Sequence, residues 1–210
     1  MTRTTLAAIA LALATPATAA TLDFETGFSG PETVITGTEF PGVTFRAPDG
    51  LRVMQVGSPA IRHTTGGFIH NNTPASPGAL GGYFLSTLFS GDWRMSWTYA
   101  APVASVAFDL ADMDVGEFWG IRAFDAAGGL IQRQTYTGTD ESDGSVVRFS
   151  FEGAISEIRI WGRPGEGYRN VGAGIDNITS TPAPIPLPAA AWLMLAGLAA
   201  LVGFRVSTSR

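Results

Sequence analysis

The chain has 210 residues, 26 of them glycine and 13 proline, and no cysteine, so disulfides, thiolate metal sites and thiol redox chemistry are excluded. All 13 basic residues are arginine, which removes the lysine that a Schiff base or a phosphate-binding P-loop requires. The net charge is −5 and the arginines stand singly along the sequence, with no basic stripe that would predict a nucleic-acid partner.

At the start, Thr2-Arg3-Thr4-Thr5 precedes an apolar run from Leu6 to Ala14, and Ala17 and Ala19 supply the small residues that signal peptidase needs. Residues 1–19 therefore read as a secretory signal peptide cleaved after Ala19, with cleavage after Ala20 as a neighbouring alternative. Residues 20–180 are then one domain, large enough to bury a core without disulfides.

Within that domain no apolar repeat of helical period occurs; short runs alternate with Gly, Pro, Asn and Asp, which predicts an all-β domain. Leu22–Phe24, Val43–Ala47 and Leu51–Val56 are strand-like. The segment from Ser58 to Gly82, crowded with Gly, Pro, Asn and Thr, predicts a loop followed by a brief strand at Tyr83–Leu88. Trp93 to Tyr99 alternates strictly, placing Trp93, Met95, Trp97 and Tyr99 on one buried face. Val103–Leu110 follows after Ala101-Pro102, then Phe118–Phe124, which the Gly-bearing Asp125–Gly129 turn joins as a hairpin to Leu130–Tyr136. Separate strands are predicted around Val147–Phe151, Ile158–Ile160 and Ala173–Ile178. The turn spacing indicates a two-sheet antiparallel sandwich of jelly-roll type, with its first and last strands as neighbours.

Ser180 to Pro186 carries proline at alternate positions and predicts an extended spacer. From Ala189 to Phe204 no residue is charged, and as a helix this run would span roughly 24 Å against a hydrocarbon core of about 30 Å, a short transmembrane helix. Arg205 and Arg210 in the tail 205–210 place that end in the cytoplasm and the domain outside.

Ile185-Pro186-Leu187-Pro188-Ala189, within the 181–188 linker and before an apolar helix with Trp192 near its outer end, resembles the VPLPA-CTERM variant of the PEP-CTERM sorting signal. Ile185 stands where the family has Val, and two arginines replace a dense basic cluster. The resemblance covers Ile185 to Arg210. It implies a bacterial surface protein held in the inner membrane by its tail and processed by an exosortase-type membrane peptidase. The pairing of Leu22–Glu25 with Gly174–Thr179, closed by Ile175-Asp176-Asn177-Ile178-Thr179, resembles the sandwich domains that precede such tails. Carbohydrate-binding jelly rolls hold a structural Ca²⁺ near such paired ends, so the resemblance implies Asp23, Glu25 and Asp176 as its ligands, with backbone carbonyls completing the six to eight oxygens.

Chemistry inside the domain is sparse. There is no G-x-S-x-G, and the two histidines, His63 and His70, lack an H-E-x-x-H frame. Asp109, Asp112, Asp114 and Glu117 form one acidic group, of which Asp112 and Asp114 could give calcium two hard oxygens, and Asp140, Glu141 and Asp143 form another; both suit turns. Trp119, Trp161 and Tyr168, near strand ends and a Gly-rich loop, are either sugar-stacking aromatics or large core residues. Three functions follow: a non-catalytic structural or adhesive surface protein, the favoured one; a module binding exopolysaccharide, with or without calcium; and a polysaccharide-acting enzyme, which would need two facing carboxylates.

Overall fold

The computed structural model describes residues 19–30, 32–56, 80–87, 92–113, 115–138, 146–165 and 171–183. Ten strands are present: β1 (Ala20–Leu22), β2 (Glu32–Ile35), β3 (Val43–Arg46), β4 (Leu51–Gln55), β5 (Tyr83–Thr87), β6 (Trp93–Ala111), β7 (Phe118–Phe124), β8 (Leu130–Thr137), β9 (Val146–Arg163) and β10 (Gly174–Pro182). All pair antiparallel in one continuous ladder, β2-β4-β5-β10-β6-β9-β7-β8, with β1 added to β10 and β3 to β6. The all-β expectation holds.

The ladder is organised by two long strands. β6 has 19 residues and β9 has 18, and each merges two strands expected to be separate. Their pairing breaks register between Thr98 and Val103, across Ala100-Ala101-Pro102, and again between Val103 and Ser105. Pro102 sits where the ladder is interrupted, so its missing N–H costs no regular pair, and the strand bends there instead of ending. On one side of the bend, Trp93–Thr98 pairs with Glu157–Gly162 and joins β3, β7 and β8. On the other, Val103–Ala111 pairs with Val146–Ile155 and joins β10, β5, β4 and β2.

The two halves then pack on one another. Trp97, before the bend, meets Phe108, after it, edge to face at 5.1 Å between ring centroids, and Tyr136 of β8 meets Phe149 of β9 at 6.4 Å. Gln134 donates through Nε2 to the carbonyl of Ser150 at 2.6 Å, tying β8 to the far half of β9. Phe45, Trp97, Phe108, Phe151, Ile121 and Leu110 lie at the centre of the core, each fully buried. Trp93, Met95 and Trp97 point inward as their alternation predicts, and Tyr99 is partly buried, its hydroxyl accepting the Trp97 indole N–H at 2.9 Å.

β1 pairs with β10 through Ala20–Ser180, Thr21–Thr179 and Leu22–Ile178, as the first-and-last reading requires. β2 has no counterpart in the predicted strands. β10 reaches Pro182, so the spacer predicted from Ser180 begins later; Pro182 takes the terminal position of the strand, where a missing donor is tolerated.

Candidate functional site

The solvent face of the β3-β6-β9-β7-β8 half carries the candidate site. Residues opposite one another in an antiparallel ladder share a face, as do alternate residues of one strand. Arg46 lies opposite Ser96, Ser96 opposite Arg159, Arg159 opposite Arg122, and Arg122 opposite Arg133, a row that crosses five strands. The next row has Arg94 opposite Trp161 and Trp161 opposite Gly120, and beyond it Arg163 faces Phe118. Six of the eight arginines among the described residues therefore stand on one face. Arginines that are isolated in sequence are gathered by register, so the scattered charge does form a basic stripe.

These cations are held differently. Arg159 grips Glu157 with two hydrogen bonds of 2.7 and 2.8 Å and lays its guanidinium 4.4 Å from the Phe124 ring centroid. The bonds to Glu157 raise its pKa further, so it stays charged at every accessible pH. Arg94 approaches Asp92 at 3.3 Å. Arg46, Arg122, Arg133 and Arg163 have no ion pair among the described residues, and Arg163 sits 5.1 Å from the centroid of the Trp161 ring.

Trp161 is the aromatic centre of this face. Its ring lies flat across Gly120, where even a Cβ would collide with the indole Cε2 and Cζ2, so only glycine lets it settle against the sheet. Phe118 flanks it at 5.3 Å between centroids. The result is a partly exposed indole in an open groove of about 650 Å³, lined also by Arg46, Asp92, Arg94, Arg122 and Arg163. A flat apolar ring among fixed donors and acceptors can stack on a sugar face while the rim bonds its hydroxyl or acidic groups.

The other two candidate aromatics do not join it. Trp119 is fully buried, its ring covering Gly162 on the inner side of the sheet and its indole N–H donated to Glu117 at 3.1 Å. It is a core residue and not a ligand contact, because its strand position faces inward. Tyr168 lies outside the described residues, as do His63, His70, Asp114, Asp140, Glu141 and Asp143, and Ile185, Pro186, Leu187, Pro188 and Ala189 of the sorting motif with the apolar run that follows. No helix among the described residues is long and apolar enough to cross a membrane.

Asp23, Glu25 and Asp176 are brought together where β1, β5 and β10 meet. Main-chain N–H groups reach four of their six oxygens: Glu25 to Asp23 Oδ1 at 3.2 Å, Gly82 and Tyr83 to Glu25 Oε1 at 2.6 and 3.2 Å, Gly81 to Asp176 Oδ2 at 3.1 Å, and Asn177 to Asp176 Oδ1 at 2.7 Å. Asp176 is fully buried, and this burial, reinforced by the charges of Glu25 and Asp23, pushes its pKa up to about 7 despite the two N–H bonds that pull it down. The donors here are N–H groups, whereas calcium wants carbonyl and carboxylate oxygens. Among the described residues no group of three or more acidic, histidine or cysteine side chains converges on a metal position.

In the other acidic group, Asp109 of β6 accepts from Arg148 of β9 and from Asn177 Nδ2 of β10, both at 2.9 Å, and so ties three strands together, while Glu117 accepts from the Trp119 indole two residues along its own segment. Asp176, whose pKa is raised, lies in the junction and not on the arginine groove.

No family model matches the chain, and no curated protein matches it. Solved structures do. The K2 cleaved adhesin domain of Lys-gingipain is similar over 79% of this chain and 98% of its own, with 12% identity and a TM-score of 0.44. The K1 cleaved adhesin domain, from Porphyromonas gingivalis, is similar over 80% and 99%, with 11% identity and a TM-score of 0.42. A family 11 carbohydrate-binding module from Clostridium thermocellum, in complex with a β-1,3-1,4-mixed-linked tetrasaccharide, is similar over 74% and 98%, with 12% identity and a TM-score of 0.33. At these scores the likeness assigns no ligand and no family.

Proposed function

We propose that the protein is an exported, non-catalytic binding domain with a jelly-roll-like sandwich, which holds an extracellular polysaccharide on the open face of its β3-β6-β9-β7-β8 half. The observation that carries the reading is Trp161, laid flat over Gly120 in an open groove instead of being packed into the core. A large aromatic left at the surface forgoes burial energy, and ligand stacking is the use that its flat seating and polar rim fit. Function therefore lies in adhesion between the cell envelope and its matrix, which brings the favoured adhesive reading and the glycan-binding one together.

Placement at the envelope rests on the two ends of the sequence. The signal peptide at 1–19 and the Ile185-Pro186-Leu187-Pro188-Ala189 motif before the apolar run support export, retention in the inner membrane and processing by an exosortase-type peptidase. Intact-mass and fractionation analysis of cells with and without that peptidase tests this; a tail that stays whole in the inner membrane in both would contradict it.

The binding reading is tested by retention of the exported protein on immobilised exopolysaccharide. Trp161→Ala should lose retention while keeping its melting temperature, whereas full retention by a folded Trp161→Ala protein would end the reading. Structural calcium at Asp23, Glu25 and Asp176 is a separate proposal, supported by the resemblance and by the two oxygens, Asp23 Oδ2 and Glu25 Oε2, that accept no main-chain hydrogen bond among the described residues. A melting temperature raised by millimolar Ca²⁺ and restored by chelation supports it, and one indifferent to both ends it.

A further inference from the structure

We propose that the polymer on this face is acidic, a polysaccharide whose repeating carboxylates are read by the arginine row, with Trp161 fixing the position of one sugar; this rests on the glycan-binding reading above. Three observations carry it. First, the face concentrates charge against the trend of the whole molecule. Among the described residues Asp92 and Glu157 pair with two of its six arginines, leaving four guanidinium charges without an ion pair on a chain whose net charge is −5. Like charges so gathered repel one another, and an anionic partner relieves that cost.

Second, the arginines are spaced along a line. With strands roughly 4.8 Å apart, Arg46 on β3 and Arg133 on β8 stand about 19 Å from each other, with Arg159 and Arg122 between them. That is the footprint of a chain several sugars long and exceeds that of a single small anion. Third, the side chains are arginine throughout, and the planar guanidinium matches a carboxylate with two parallel hydrogen bonds. Four of the six have no ion pair among the described residues, so their forks are open to an incoming carboxylate.

The pattern favours an acidic glycan over a nucleic acid. Single strands are held by successive stacking aromatics and by dense phosphate neutralisation, whereas among the described residues of this face one indole, flanked by Phe118, lies flat at the surface. Asp92 and Glu157, interleaved with the arginines, would repel closely spaced phosphates, yet they accept hydroxyl groups from a sugar. Ser96 and Thr98, on the same face, add neutral partners of the same kind.

The test uses the full exported chain in detergent, with polygalacturonate and alginate as probes and the carboxyl-reduced form of each as its neutral counterpart. The acidic polymers should bind at least about tenfold more tightly than the reduced ones at 50 mM salt, and lose about tenfold or more between 50 and 500 mM. Arg46→Gln with Arg122→Gln should weaken acidic binding about tenfold and neutral binding by a factor at least about threefold smaller, while Trp161→Ala weakens both alike. Should the double variant not fold, Arg122→Lys alone, which keeps the charge and loses the fork, should fall between wild type and neutral-polymer affinity. Equal affinity for acidic and reduced polymers, with Trp161→Ala weakening both, overturns the acidic assignment and leaves the glycan reading standing. Binding of none of the four polymers overturns both. Tighter binding of a single-stranded DNA oligonucleotide than of either acidic polymer overturns the assignment in favour of a nucleic acid.

Discussion

Trp119 and Trp161 occupy matching places on neighbouring strands, each opposite a glycine, and differ only in which side of the sheet they face. Trp119 covers Gly162 on the inside, is fully buried and donates to Glu117. Trp161 covers Gly120 on the outside, among arginines, and keeps part of its ring in solvent. The same cross-strand device thus serves packing on one face and, in the proposed function, recognition on the other. Charge is divided in the same way. The arginines outside keep their hydration, whereas Asp176, inside, is pressed toward its neutral form.

The largest effect should come from the inner member of the pair. Trp119→Ala removes a fully buried indole and leaves a cavity, and should cost about 3–5 kcal/mol in denaturant unfolding. A loss no greater than that of Trp161→Ala would erase the distinction between the faces. Next is the buried carboxylate. Because the folded pKa of Asp176 is raised from 3.8 to about 7, the folded state holds its proton more tightly than the unfolded chain. Its contribution to stability is therefore greatest below pH 4 and is lost as pH rises toward 7, by an amount on the order of a few kcal/mol. Melting temperatures taken from pH 4 to 8 should show that decline, and Asp176→Ala should flatten it.

Gly120→Ala is a smaller change that acts only outside. The new methyl would meet the Trp161 ring and lift it from the sheet, costing about 1–2 kcal/mol and most of the polysaccharide retention. Unchanged retention would mean that the flat seating of the ring is irrelevant. Smallest in stability are Trp161→Ala and Arg122→Gln, each expected within about 1 kcal/mol of wild type by urea titration, with their effect confined to binding.

Local alternation made much of this legible. It placed Trp93, Met95 and Trp97 inside; the Gly-bearing turn at Asp125–Gly129 marked the β7–β8 hairpin, and the sandwich reading set the first and last strands, β1 and β10, as neighbours. Pro102 was misleading because proline marks a bulge as readily as a strand end, and only the partner strand decides which. The arginine row was hidden for a related reason. Arg46, Arg122 and Arg159 are far apart in sequence, and nothing local fixes the register that sets Arg122 between Arg159 and Arg133. Their shared parity, each among inward-facing apolar neighbours, was the available signal. The same uncertainty of facing left Trp119 and Trp161 equivalent in sequence, although one is core and the other surface.

The most direct measurement of the account follows the indole N–H resonances of the ¹⁵N-labelled protein, assigned with Trp161→Phe and Trp119→Phe, while oligogalacturonate is added. The account predicts that the Trp161 resonance moves in a saturable way, that the Trp119 resonance stays in place, and that salt reverses the shift. A titration in which Trp161 remains unmoved while the oligosaccharide binds would contradict it.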